Sequence, residues 1–168
     1  MDKARLHALQ KPLKDRYRED PASAVVTLRA EGTVDGAGIA CSVTTGRALV
    51  EAGLHPATGG TGALACSGDM LLEALVACAG VTLRSVATSL EIPVAGTLRA
   101  EGDLDFRGTL GVDREAPVGF RDIRLVFELE HGATDEQLET LLRLTERYCV
   151  VLQTLTGGVP VDVTVTSS

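Results

Sequence analysis

Hydrophobic and polar positions change their period several times along this chain. Residues 24–34, AVVTLRAEGTV, alternate loosely, as a strand does. Asp35-Gly36-Ala37-Gly38 offers a tight turn, and IACSVTTG (39–46) returns as a second strand, so the pair reads as a hairpin. Residues 47–65, RALVEAGLHPATGGTGALA, hold Pro56, Gly53, Gly59, Gly60 and Gly62 and read as surface loop.

From 68 to 90 the period lengthens to that of a helix. Leu72, Leu75, Val76, Ala79, Leu83, Val86 and Leu90 fall on one face, and Ala74, Ala77 and Gly80 keep much of the rest small. Such a helix belongs at the centre of a domain. Ser67 is placed to cap it and Asp69 falls in its first turn, where the dipole favours an acid. Ile92-Pro93 ends it.

Two strands follow, VAGTLRAEGDLDFRG and FRDIRLVFELEH, joined by a long connection over 105–119. Thr134-Asp135-Glu136-Gln137 fits a capping box, and the helix it opens is expected to run from about 135 to 153. Gly157-Gly158 stops that helix. Val159, Val161, Val163 and Val165 alternate cleanly and predict a last, half-exposed strand. The order β-β-helix-β-β-helix-β rules against a doubly wound parallel sheet and favours an α+β domain, helices on an antiparallel sheet.

Composition narrows the function. At 168 residues the chain makes a single domain over 1–168 with one core, residues 1–23 forming an N-terminal arm. Aromatics are 3% with no Trp and the net charge is −7, so a nucleic-acid partner is not expected. The basic residues cluster at the start: residues 1–20 carry six of the 16, including Lys3, Lys11 and Lys14, which reads as a solvated arm or short helix. No apolar run is expected to span a membrane, no secretory leader is apparent, and a cytoplasmic location is expected. His7, His55 and His131 are scattered, so a metal site is not expected, and Gly60-Thr61-Gly62 lacks the βα setting of a dinucleotide loop.

The four cysteines are Cys41, Cys66, Cys78 and Cys149, with no CxxC pair. Cys41 and Cys66 read as packing residues, although Cys66, just before the long helix, is also a conceivable second redox partner. Cys78 and Cys149 lie in the two longest apolar helices, where a buried thiol is most often a small hydrophobe. A reactive Cys78 would need its thiolate stabilised. Cys78 is some three turns into its helix, beyond help from that helix's own dipole, so an arginine is the expected source.

Ala65-Cys66-Ser67-Gly68-Asp69-Met70-Leu71-Leu72-Glu73-Ala74-Leu75-Val76-Ala77-Cys78 resembles the start of the central helix in the OsmC-like proteins, which include the organic hydroperoxide resistance proteins. Glu146-Arg147-Tyr148-Cys149-Val150 is similar to that family's second cysteine motif, and the resemblance extends from about residue 24 to the end. It implies an OsmC-like fold, with antiparallel sheets packed on a long central helix in an intertwined homodimer whose active sites lie at the subunit interface. It also implies a thiol peroxidase acting on organic hydroperoxides or hydrogen peroxide. Cys78 would be the peroxidatic residue and Cys149 the resolving one, through a Cys78–Cys149 disulfide. An external dithiol protein, often dihydrolipoyl-bearing in relatives, would recycle them, with no metal or other cofactor. By the same resemblance Asp69 would be the acid near the helix start that holds an activating arginine, and Arg29 is the first choice for that arginine, with Arg16, Arg18 and Arg47 as alternatives. Ser67 stands where the family has Pro, and Asp69 is shorter than the usual Glu. Those departures leave a second reading, a non-catalytic protein of the same scaffold holding a small apolar ligand.

Overall fold

A computed structural model of the chain describes residues 2–20, 31–33, 40–44 and 49–166. In chain order the elements are α1 (Lys3–Glu19), β1 (Glu31–Thr33), β2 (Ala40–Thr44), β3 (Leu49–Gly53), β4 (Ala65–Cys66), α2 (Ser67–Leu90), β5 (Val94–Leu104), α3 (Phe106–Thr109), β6 (Phe120–His131), α4 (Asp135–Tyr148) and α5 (Val150–Gly157). Strands β1, β2 and β3 form an antiparallel meander, with Thr33 opposite Ser42 and Val43 opposite Val50. The hairpin expected over 24–46 is present as β1 and β2, while its turn lies outside the described residues. Residues 47–65, expected to be a loop-rich surface segment, contain β3 and the start of β4, which pair in parallel over two positions. Glycine and proline in this stretch mask two short strands flanking a turn at Pro56–Thr58.

Everything else is arranged around α2. Leu75, Ala79, Leu83 and Ala87, spaced four apart, make one buried stripe along it. One half of the core gathers Leu83, Ala87, Ile92, Val94 and Leu141; the other gathers Leu75, Ala79 and Cys149. The β5–β6 ribbon lays Leu98, Phe127 and their neighbours over both halves. The other face of the ribbon carries ion pairs such as Arg124–Asp103 at 2.6 Å and Arg99–Glu128 at 2.8 Å. These are exposed pairs and contribute little to stability. By length and composition α2 would suit a membrane span, contrary to the expectation that no run reaches that length. Here its buried stripe is covered by the ribbon, α4 and α5.

The cap positions follow local chemistry. Thr134 and Gln137 form the capping box of α4, with Gln137 N–H donating to Thr134 Oγ1 at 3.3 Å and Thr134 N–H to Gln137 Oε1 at 3.0 Å. Gly158, at φ 62°, closes α5 in the left-handed conformation that glycine tolerates. Ser67 is the first residue of α2 rather than its cap; Cys66 holds the cap position without a side-chain hydrogen bond. The basic start of the chain is the helix α1, which meets the far end of α2 where Lys3 Nζ donates to Glu91 Oε2 at 2.9 Å.

Two further expectations fail. The helix expected over 135–153 stops at Tyr148 and restarts at Val150. The strand expected over 159–165 is an extended segment without a ladder partner, and Val161, Val163 and Val165 are 83, 86 and 92% exposed. Its alternation is that of a strand, but a strand exists only by pairing, and among the described residues nothing pairs with it.

Leu141 is fully buried where α4 meets α2. Leu141→Ala is expected to lower the unfolding free energy by ~2–5 kcal/mol, read as an earlier midpoint in urea denaturation.

Candidate active site at a helix break

Tyr148-Cys149-Val150-Val151 is a run of weak helix formers, two of them β-branched. Cys149 takes an extended conformation there, φ −74° and ψ 105°, and serves both helices at once. Its N–H donates to Thr145 O at 3.0 Å, ending α4, and its carbonyl accepts from Gln153 N–H at 2.9 Å, opening α5. Gln153 Nε2 then reaches back to donate to Glu146 O at 2.9 Å, occupying one carbonyl that the break orphans. The Thr145 hydroxyl, buried, donates to Leu141 O at 2.8 Å.

The break leaves the first N–H groups of α5 with no carbonyl partner. Cys78, on α2, lies near them: the Val151 and Val150 N–H groups, the Cys149 thiol and the Thr82 hydroxyl all favour its thiolate. Thr82 is one helical turn beyond Cys78, at the spacing that places two side chains together. Cys149 in turn lies against the Leu152 and Val151 N–H groups and the Cys78 sulfur. Both are free thiols, Cys78 half-buried and Cys149 fully buried.

The two sulfurs titrate in opposite directions. Burial pushes the Cys78 thiol up, but the Val151 N–H, the Cys149 thiol, the Val150 N–H and the Thr82 hydroxyl outweigh it and hold Cys78 below the ordinary thiol value. Burial also pushes Cys149 up; its neighbour Cys78 adds to that, and the Leu152 and Val151 N–H groups only partly offset it. The pair therefore shares one readily lost proton, with the negative charge resting on Cys78. Among the described residues the group that the structure places at this sulfur is the N-terminus of α5.

The structure thus brings Cys78 and Cys149 together and leaves Asp69 apart from them. Asp69 is exposed in the first turn of α2. Nine residues separate it from Cys78, which is about 13 Å along the axis and half a turn around it. Arg29 and Arg47 lie outside the described residues. Arg16 and Arg18 are at the end of α1, Arg18 paired with Asp15 at 2.7 Å. Cys66 caps α2, about 18 Å along the axis from Cys78; the Cys41 side chain is not among those described. His55 is a loop residue: its Nδ1 accepts from Ala57 N–H at 3.0 Å and its ring stacks on Phe106 at 4.9 Å. Among the described residues no group of His, Cys, Asp or Glu side chains is disposed to hold a metal ion.

A family model described as OsmC-like protein matches residues 60–164, well over half of the chain. The chain belongs to the OsmC-like family. Solved structures agree on the fold. An OsmC-like protein from Mycoplasma pneumoniae superposes with a TM-score of 0.64 at 16% identity, covering 79% of this chain and 89% of that one. An organic hydroperoxide resistance protein from Elizabethkingia anophelis gives 0.59 at 18%, covering 79% and 90%. An organic hydroperoxide resistance protein OsmC from Legionella pneumophila gives 0.58 at 17%, covering 79% and 91%. No curated protein matches the chain significantly. The matched span holds both cysteine motifs and the helix break between α4 and α5, and excludes α1.

Alkylation of Cys78 in the Cys149→Ser protein, followed by peptide mass spectrometry, should follow a single titration whose midpoint lies below the ~8.5 of a free thiol, the rate rising with pH. Thr82→Val removes one donor from the thiolate without changing side-chain volume much. It should move that midpoint up by about half a pH unit, the worth of one hydrogen bond of ~0.7 kcal/mol. An unmoved midpoint would mean that the Thr82 hydroxyl does not serve the sulfur.

Proposed function

We propose that this protein is a cysteine-dependent peroxidase that reduces organic hydroperoxides or hydrogen peroxide. The observation that carries the reading is a lowered, half-buried Cys78 thiol in contact with a raised, buried Cys149 thiol at a helix N-terminus. The Cys78 thiolate attacks the terminal peroxide oxygen; the O–O bond breaks, the alkoxide leaves as an alcohol after taking a proton, and Cys78 becomes a sulfenic acid. Cys149 then gives its sulfur electrons to Cys78, an S–S bond forms, and the hydroxyl departs with the Cys149 proton as water. An external dithiol, a dihydrolipoyl group being the natural class, exchanges with the disulfide and leaves as its own disulfide. Keeping the resolving thiol protonated until the sulfenic acid forms suits the raised Cys149, and no metal or other cofactor enters the cycle. The lowered Cys78 favours this over the alternative of a non-catalytic holder of a small apolar ligand, for which an ordinary thiol would serve.

The working unit in this reading is a homodimer in a reducing compartment such as the cytoplasm. The exposed alternation of Val161, Val163 and Val165 is a strand that a second copy would pair and cover. Asp69, on the far side of α2 from its own Cys78, and Arg29 would then serve the thiol of the neighbouring copy.

Stopped-flow kinetics test the chemistry. Cys78→Ser should abolish peroxide consumption, and Cys149→Ser should complete one turnover and stall as a sulfenic acid that a dimedone-type trap captures. Full turnover by Cys78→Ser would end the proposal. For the assembly, removal of residues 159–168 should shift sedimentation from dimer to monomer, whereas an unchanged coefficient would exclude the tail from the interface.

A further inference from the structure

In an unbroken helix the Glu146 carbonyl would accept from the Val150 N–H, four residues on. In this chain it accepts from the side chain of Gln153, whose Nε2 donates at 2.9 Å across seven residues. Gln153 also closes the first backbone bond of α5, its N–H donating to the Cys149 carbonyl at 2.9 Å. One residue therefore holds both sides of the break: α5 through its backbone, α4 through its carboxamide. The Val150 N–H, whose place at Glu146 is taken, is one of the two backbone donors that favour the Cys78 thiolate.

The rest of α5 holds its own direction weakly. It has eight residues and no fully buried side chain, and it packs on the core through Val151 and Leu152. A helix that short has little stability by itself. α4 is anchored more firmly, by the buried Leu141 and Thr145. An open carbonyl at the end of α4 would draw the Val150 N–H back and lengthen α4 by one bond. We propose that Gln153 is a positioning residue: its carboxamide takes the place of the Val150 N–H at the Glu146 carbonyl, keeps α4 from continuing through Cys149, and so leaves the start of α5 facing the Cys78 sulfur. The clip acts on the thiol through the backbone. Its consequence for turnover rests on the peroxidase reading; its consequence for the thiol does not.

The test is alkylation of Cys78 across pH in the full-length Cys149→Ser protein, followed by peptide mass spectrometry. Gln153 is exposed, so its substitution should leave the fold intact. Gln153→Met keeps the length and loses the donor. Gln153→Lys keeps a donor, and its charge is screened beyond about 3 Å in ~1 M salt. Below the midpoint, Cys78 in Gln153→Met should react about threefold more slowly, a midpoint raised by about half a pH unit, while the rate at high pH is unchanged. Gln153→Lys in that salt should match the protein with Gln153. An unmoved midpoint in Gln153→Met would overturn the proposal, and so would an equal slowing in Gln153→Lys. With Cys149 restored, kcat/KM for a peroxide should show the same threefold loss in Gln153→Met at low pH. A midpoint that rises as expected in a protein that consumes no peroxide would support the clip and refute the peroxidase reading.

Discussion

A helix that stops and restarts leaves N–H groups without carbonyls, and in this chain they point at sulfur. The break between α4 and α5 leaves donors and acceptors that the helix itself does not pair. On one side Gln153 returns to the Glu146 carbonyl; on the other the Val150 and Val151 N–H groups reach Cys78. A neutral thiol is a weak acceptor and a thiolate a strong one, so the same donors that need a partner also favour the charged sulfur. The backbone defect and the lowered thiol are one arrangement viewed from two ends.

That arrangement depends on α2 being where it is. Cys78 is one residue from Ala79, which is fully buried in the stripe that α2 presents to the ribbon and α5, and Cys149 shares that half of the core. Close packing fixes the two sulfurs relative to each other as firmly as it fixes Leu75 or Ala79. A displacement of α5 would therefore break core contacts before it separated the thiols.

Much of this was legible in the residues. The 3.6-residue pattern located α2 to within a residue, alternation located β5 and β6, and Thr134 with Gln137 marked the start of α4. The two cysteines on the two longest apolar helices became a pair only through the family resemblance, and the structure packs them together. The break at Cys149 was not legible from periodicity, because Tyr148, Cys149 and Leu152 continue the same face across it; only the weak helix propensity of Cys149-Val150-Val151 hinted at it. The last strand failed for a different reason. Alternation in Val159–Val165 reports which side chains seek cover, but pairing needs a neighbouring edge, and an edge is a property of the assembled molecule rather than of the segment.

The same distinction separates the two kinds of help a thiolate can receive. Helix N–H groups are short-range dipoles; they act within the first turn, need no second subunit, and are set in place as soon as α5 packs on α2. A guanidinium is a full charge on a long side chain and acts only where the fold delivers it. Among the described residues Asp69 faces away from its own Cys78, so an acid–arginine pair at this sulfur could not be completed through Asp69 within one chain. What a single copy does complete is the α5 terminus, the Thr82 hydroxyl and the neighbouring Cys149. The lowering of Cys78 thus belongs to the fold of one chain.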